Sequence, residues 1–374
     1  MAYRLLRDEV RTALMDVFLV TGATGFVGSW CVKTLLDNGC KVRCTVRDPS
    51  AKKVDFLRLL TGADERLELV KADLLDPEDA WRLVVRGCSV VLHTASPFVI
   101  EGVPEGQEEA FFMEPAVKGT EVVVKACLAE KVRRVVLTSS IAAVMNGHGQ
   151  NSPSFAAPGP DESTWTNVQG LQLPLEMYTK SKTVAEQTAW DLVKGTDMEL
   201  AVVNPGLVTG PFLSMDTSTG SLAVLRIILN KEYPFLPDTP LTIVDVRDVA
   251  KLHYLAAVQP SASGKRHLGA SASESVSFVE LARILDRAGF DVPTGQAPSF
   301  LLKFLSVFDP KLKLTIPTLG RKVYVNAINA NSLMGGQWIP VESSVVDMAR
   351  SMMELGQYGR MKSSENRRWC NFLN

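Results

Sequence analysis

The chain has 374 residues, 46% of them hydrophobic and 22% charged, and its formal net charge is −1. That length holds one large domain or two modest ones, with the composition of a globular protein and not of a disordered one. A charge so close to neutral gives no basis for nucleic acid or an acidic membrane surface as partner, and no run of 18 apolar residues is present to span a bilayer.

Residues 1–16 carry Arg4, Arg7 and Arg11 together with Asp8 and Glu9, and lack the apolar core of a signal peptide. They read as an N-terminal extension, and a cytoplasmic location is expected. Val17–Val20 then predicts a short buried strand. Thr21-Gly22-Ala23-Thr24-Gly25-Phe26-Val27-Gly28 follows, and Phe26–Asp37 has helical spacing that stops before Asn38-Gly39, a helix-ending pair. Lys41–Val46 is a second strand and Leu67–Lys71 a third. Asp76-Pro77-Glu78-Asp79 opens a helix with acids in its first turn. Val90–His93 is a fourth strand, and a long helix runs through Val117–Ala129. Arg134–Thr138 is a fifth strand, Leu175–Lys194 a helix and Leu200–Val203 a sixth strand.

Strands alternating with helices predict an α/β fold, a Rossmann-type doubly wound parallel sheet with helices on both faces. Ligands in such sheets bind beyond the carboxyl ends of the strands, where most of the motifs described below fall. After residue 205 the pattern loosens, with Gly, Pro and Ser punctuating Thr209–Gly220, Tyr233–Pro240 and Gln259–Ser277. Helical stretches remain near Ser221–Asn230, Asp248–Val258, Phe278–Ala288 and Val341–Leu355. The expected division is a dinucleotide-binding domain over 17–205, a smaller C-terminal substrate-binding lobe over 206–355 interleaved with it, and a polar tail over 356–374.

Cys31, Cys40, Cys44, Cys88, Cys127 and Cys370 form no Cys-x-x-Cys pair and read as reduced, buried small hydrophobes. His93, His148, His253 and His267 are scattered, so no metal site is expected.

Gly22, Gly25 and Gly28 stand between a strand and a helix. Glycine permits the tight turn and the close approach of a pyrophosphate, and the N-terminus of the following helix turns free N–H groups toward the phosphates. Thr24, Phe26 and Val27 complete this loop. The second strand ends at Arg47, with Asp48 next to it. Arg47 there suits the 2′-phosphate of NADP, with Lys53 as a second cation, whereas Asp48 one position on would suit the ribose of NAD. The bland alternatives are a solvated strand end and an exposed helix face.

Tyr178 and Lys182 lie four residues apart and so share one helix face. Reducing a carbonyl needs a proton donor on oxygen. A free phenol with a pKa of about 10 holds its proton tightly, and a neighbouring ammonium lowers that value. Thr138-Ser139-Ser140 ends the fifth strand and offers a hydroxyl to orient the substrate oxygen. Either serine could simply end the strand, and the Tyr–Lys pair could be an ordinary half-exposed one. Their order along the chain favours chemistry.

Taken together these segments resemble the extended short-chain dehydrogenase/reductase family, with closest likeness to the dihydroflavonol 4-reductase and cinnamoyl-CoA reductase group. The likeness is carried by the glycine loop, VRCTVRDP at 42–49, YTKSKTVAEQTAW at 178–190, NPGLVTGP at 204–211 and IVDVRDVA at 243–250. It implies an NADPH-dependent carbonyl reductase acting on a small aldehyde or ketone, alcohol oxidation being the reverse reaction, in a monomer or homodimer. It implies that Ser140 is the catalytic serine, that Lys182 also holds the nicotinamide ribose and that Arg47 goes with NADP(H). It also implies that Asp73 and Leu74 meet the adenine, that Thr94, Ala95 and Ser96 line the pyrophosphate and nicotinamide ribose, and that Pro205 and Val208 face the carboxamide. His93 reads as a packed strand-end residue. The substrate parts depart from the group: Met145 stands where flavonoid reductases carry Asn, which suggests a less polar substrate. LPLEMY at 173–178 replaces the cinnamoyl-CoA reductase run, and NSLMGGQW at 331–338 replaces the group's later Leu-Gly-Trp pattern. The same three catalytic residue types serve 3β-hydroxysteroid dehydrogenases and nucleotide-sugar epimerases, and a non-catalytic NADPH-binding redox sensor is a reading of another class.

Overall fold

A computed structural model describes residues 16–96, 108–171, 176–214, 220–307 and 316–356. The N-terminal extension up to residue 15, the tail from 357, Pro97 and the first residues expected in the helix after Pro174 lie outside them. Seven strands form one parallel sheet: β1 (Val17–Thr21), β2 (Lys41–Val46), β3 (Leu67–Lys71), β4 (Val90–His93), β5 (Arg134–Thr138), β6 (Glu199–Pro205) and β7 (Lys265–Gly269). Their spatial order is β7-β6-β5-β4-β1-β2-β3. The order reverses between β1 and β4, which opens a crevice at the carboxyl edge of the sheet.

The principal helices are α1 (Phe26–Asp37), α2 (Glu78–Val85), α3 (Gly119–Ala129), α4 (Met177–Val193), α5 (Gly220–Leu229), α6 (Val246–Val258), α7 (Phe278–Arg287), α8 (Ile328–Met334) and α9 (Val341–Glu354). The central strands β1, β4, β5 and β6 bury both of their faces, and alternate residues serve opposite cores. Phe18, Val20, Val136, Ala201 and Val203 join residues of α1, α6 and α8 in one cluster. Leu19, Val135, Leu137, Leu200 and Val202 join residues of α2, α3 and α4 in another. The apolar runs are unbroken for this reason, because a strand between two helix layers has no solvent face to mark with polar residues.

A third cluster joins α5, α7 and α9 with Phe26 and Phe212, whose rings lie 4.5 Å apart between centroids. Trp30 of α1 donates its indole N–H to the Pro211 carbonyl at 2.8 Å. The helix that opens the glycine loop is thereby packed against the C-terminal half of the chain.

The helices Ser299–Leu305 and Ile328–Met334 were not among those expected, and two further differences have a clear physical reason. The helix expected through Val117–Ala129 begins earlier, as Glu108–Met113, and passes through a π-helical turn at Glu114–Lys118 before α3. Pro115 lies in that turn, has no N–H to give and crowds the preceding carbonyl, so the helix widens there. β7 was hidden in the punctuated stretch 259–277. Its sequence Lys-Arg-His-Leu-Gly has no β-branched residue, Phe, Tyr or Trp, and its Arg266 and His267 are buried, 6% and 1% exposed, so polarity concealed it.

Arg134 shows how such polar groups are accommodated. Its guanidinium is buried, donates to Glu199 Oε2 at 2.6 Å, and reaches the carbonyls of Ala256, Ala257 and Gln259 at 3.0, 3.1 and 2.7 Å. It thus satisfies the C-terminal end of α6, whose last carbonyls have no helical partner. Arg134→Met removes the side-chain donor from the Ala256 and Ala257 carbonyls and the partner from Glu199, while the Gln259 carbonyl keeps the Ala262 N–H at 3.2 Å. The expected cost is roughly 3 kcal/mol of unfolding free energy, read by urea denaturation against the wild type.

Candidate functional site

Most of the candidate residues lie at the carboxyl edge of the sheet, on the segments that follow its strands. After β1, Gly22 adopts φ +67°, and its carbonyl accepts the Gly25 N–H at 2.9 Å. α1 begins at Phe26, with Gly25 as its uncapped N-terminal residue. The backbone here is packed too tightly for side chains. A Cβ on Gly28 would lie 2.3 Å from the Gly22 carbonyl oxygen, and one on Gly22 would lie 2.9 Å from Ala95 Cα. Thr24 and Val27 are partly exposed and Gly25 is exposed. Phe26 is buried against Phe212 and belongs to the core.

The loop is tied to its neighbours by a polar knot. Gly22 N–H donates to Thr45 Oγ1 at 3.1 Å, Thr94 Oγ1 to the Thr21 carbonyl at 2.6 Å, and Ala95 N–H to Thr21 Oγ1 at 3.1 Å. His93 Nδ1 lies 2.9 Å from the same Thr21 hydroxyl. Burial, with the charge of Lys182 adding to it, holds the His93 imidazole neutral, its pKa lowered to about 3. Such a group packs and bonds, and takes up no proton near neutral pH.

Arg47 is exposed directly after β2. The Asp48 carboxylate is engaged in its own turn, accepting Ser50 N–H at 2.9 Å and Ser50 Oγ–H at 2.6 Å. Those bonds hold its pKa below the usual carboxylate range. Lys53 is exposed on a short 3-10 turn at Lys52–Val54. Asp73 is exposed and accepts the Leu75 N–H at 3.0 Å, while Leu74 packs against the core cluster beside Gly119. Pro205 is buried at the end of β6, and Val208 lies in the short strand Leu207–Thr209, which pairs with Ile243–Asp245. The backbone of Gly206 is held by the Gly269 carbonyl at 2.9 Å.

Tyr178, Lys182 and Glu186 recur every four residues along one face of α4. The Ser140 side chain hydrogen-bonds Tyr178. Burial pushes the phenol up to about 12, and the bond from Ser140 works against that rise. Lys182 is 8% exposed, and burial lowers its pKa to about 8, with the Glu186 carboxylate opposing the fall. Phe112 meets the Tyr178 ring edge-on, with centroids 6.4 Å apart. The two serines after β5 point to different partners. Ser140 meets the tyrosine, whereas Ser139 is buried and donates to Glu186 Oε2 at 2.6 Å. Met145 ends a short helix, Ala142–Met145, and packs in part against the core.

Sequence reasoning passed over the groups behind Lys182: Glu186, Asn204 and Arg266. The available signal was the four-residue spacing, which puts an acid on the buried stripe of α4. Among the described residues no cluster of His, Cys, Asp and Glu is arranged to hold a metal, and no helix is long and apolar enough to cross a membrane.

A profile of the NAD dependent epimerase/dehydratase family matches residues 18–268. Cinnamoyl-CoA reductase CAD2 of Medicago truncatula is 37% identical over 343 residues, covering 91% of this chain and 97% of the relative. Tetraketide alpha-pyrone reductase 1 of Arabidopsis thaliana is 36% identical over 304 residues, 77% of this chain and 90% of the relative. Among solved structures, Gre2 of Candida albicans in complex with NADPH superposes with a TM-score of 0.71 at 26% identity, over 91% of this chain and 100% of that one.

The glycine contacts give a direct test. Gly28→Ala forces the Gly22 turn and Thr94 apart, so nucleotide affinity is expected to fall by at least about tenfold, measured by isothermal titration with NADPH.

Proposed function

Because the chain belongs to the NAD-dependent epimerase/dehydratase family and, within it, to the group of dihydroflavonol 4-reductase and cinnamoyl-CoA reductase-like enzymes, we propose that it reduces the carbonyl of an aldehyde or ketone with NADPH. It is a nicotinamide-dependent oxidoreductase. The observation that carries the substrate side of this reading is the pairing of Ser140 with the Tyr178 phenol, with the Lys182 ammonium one helical turn further on.

The residues present fit the cofactor. The glycine turn leaves room only for backbone, as a pyrophosphate requires, and α1 starts there with unpaired N–H groups. Arg47 stands exposed for a 2′-phosphate, while Asp48 is occupied by Ser50 and is poorly placed to receive a ribose hydroxyl. Ala95 and Ser96 share the wall of a small cavity with Lys182, and we propose that Thr94, Pro205 and Val208 meet the nicotinamide half of the cofactor. When bound, the nicotinamide supplies the hydride.

The protein's own residues handle the oxygen and its proton. Ser140 donates a hydrogen bond to the substrate oxygen and orients it toward Tyr178. Tyr178 gives its proton to that oxygen as negative charge develops. A buried phenolate is costly, and we propose that the Lys182 ammonium, one helical turn further along α4, offsets the cost. Lys182 also has ammonium hydrogens for the ribose hydroxyls, so one side chain joins cofactor position to proton transfer. The relatives' names speak of cinnamoyl-CoA and tetraketide α-pyrones; for this chain we propose the shared element, a conjugated or aromatic carbonyl of low polarity, with Met145 in place of a hydrogen-bonding side chain.

Purified protein is expected to consume NADPH with a panel of aromatic aldehydes, dihydroflavonols, aliphatic ketones and 3-ketosteroids. Tyr178→Phe should lower turnover by at least about 10²-fold and still bind NADPH; full activity in that variant removes Tyr178 from the reaction. Arg47→Ser is expected to weaken NADPH binding by about tenfold or more and to leave NADH nearly unchanged, with Kd for both cofactors as the readout. Equal losses for the two would reassign Arg47 away from the 2′-phosphate.

A further inference from the structure

We propose that Glu186 is a positioning residue for the reaction: its buried carboxylate, fixed by Arg266, Ser139 and Asn204, holds Lys182 in its charged form and in its place behind Tyr178. The inference rests on the reading of Tyr178 and Lys182 as the proton-handling pair.

Glu186 is fully buried. Its Oε1 accepts Arg266 Nε–H at 2.6 Å and Trp190 Nε1–H at 3.3 Å. Its Oε2 accepts Ser139 Oγ–H at 2.6 Å, Asn204 Nδ2–H at 2.8 Å and an Arg266 terminal N–H at 3.3 Å. Five hydrogen bonds on one carboxylate fix it in a single position. Arg266 is fixed as firmly. Its remaining N–H groups reach the carbonyls of Glu162, Thr164 and Ala143, and its plane lies 3.9 Å from the Trp165 ring centroid. The sheet's alternation explains the convergence. Ser139 continues the face of Leu137, Asn204 that of Val202, and Arg266 is the register partner of Val202. All three therefore project toward α4.

Lys182 and Glu186 border a common cavity of about 10 Å³, with Ser96, Thr120 and Ser139 also in its wall. Such a space has room for about one water at most, and both side chains line it. The charged and titratable groups around Lys182 are Tyr178 and Glu186 on α4, His93 at the end of β4, and, through Glu186, Arg266 on β7. With His93 neutral, the formal charges of Lys182, Arg266 and Glu186 sum to one positive. The Glu186 charge acts on Lys182 in the sense that favours the ammonium.

The test is the alkaline limb of kcat/KM for NADPH-dependent reduction. The ammonium of Lys182 is lost as pH rises through about 8. Removing the carboxylate that favours it moves that loss to lower pH. Glu186→Gln is expected to shift the limb down by roughly one pH unit or more, and Glu186→Asp to return it toward the wild-type position. Glu186→Gln leaves Arg266 buried without a counter-ion; if it does not fold, the double variant Glu186→Gln/Arg266→Gln removes both charges and is expected to shift the limb in the same direction by a smaller amount, because the lost cation partly offsets the lost carboxylate. An NMR titration of 13C-lysine-labelled protein without cofactor, with the Lys182 resonance identified by its loss in Lys182→Arg, should move in parallel. A limb and a titration that stay at wild-type pH in either folded variant overturn the proposal. Should the wild type lack turnover, or Tyr178→Phe retain it, the catalytic reading falls, and the Lys182 titration alone still decides for or against the coupling with Glu186.

Discussion

A carboxylate with no exposed surface is tolerated only when its lone pairs are filled and its charge is balanced. Glu186 meets both demands with donors from three strands and its own helix. The loop at 162–166 is drawn in through Arg266. Removing one partner leaves the others buried and unsatisfied, so the ends of β5 and β6, β7 and the middle of α4 hold each other in register. Tyr178 and Lys182 inherit their positions from this arrangement, because they lie on the same stripe of α4, two turns and one turn before the carboxylate. Ser140 inherits its place as well, since Asn204 also holds the Ser140 carbonyl at 3.2 Å.

Two polar systems meet at the carboxyl edge of the sheet and do different work. The knot of Thr21, Thr45, His93 and Thr94 shapes the backbone that would receive phosphates. It contains no ionised group, because burial keeps His93 neutral. The cluster behind α4 is rich in charge, with two cations about one anion. Lys182 borders both systems, and its charge is felt at His93 and opposed at Glu186. Separating a neutral cradle from a charged proton site lets each be shaped without disturbing the other.

Much of the fold was legible because β1, β4, β5 and β6 are built on apolar runs, β2 and β3 alternate apolar with polar residues, and helix spacing fills the gaps. Phe26–Asp37, Lys41–Val46 and Arg134–Thr138 begin and end where the residues predict. β7 was concealed because three of its five residues, Lys265, Arg266 and His267, are basic or imidazole side chains, and pattern alone reads these as surface. The widened turn at Pro115 was hidden because a proline in a helical stretch more often signals an end. The glycine loop and the Tyr–Lys pair could be found because backbone freedom and the helical period leave marks in spacing. Which serine faces the phenol could not be read from composition, since Ser139 and Ser140 differ only in the side of the strand on which they fall. Glu186 and Arg266, 80 positions apart, are partners only once the sheet has closed.

That separation bears on how the protein comes into being. The glycine turn, Ser140, Tyr178 and Lys182 all belong to the first half of the chain, and a ribosome delivers them early. The counter-ion for Glu186 arrives on the edge strand, after another 80 residues. A nascent chain that has threaded β1 through β6 therefore carries every residue of the recognisable motif, yet its central helix still bears an acid with no basic partner and would remain loosely seated. Arrival of the last strand of the sheet supplies that partner, so the buried acid is balanced only once the chain has grown past residue 266.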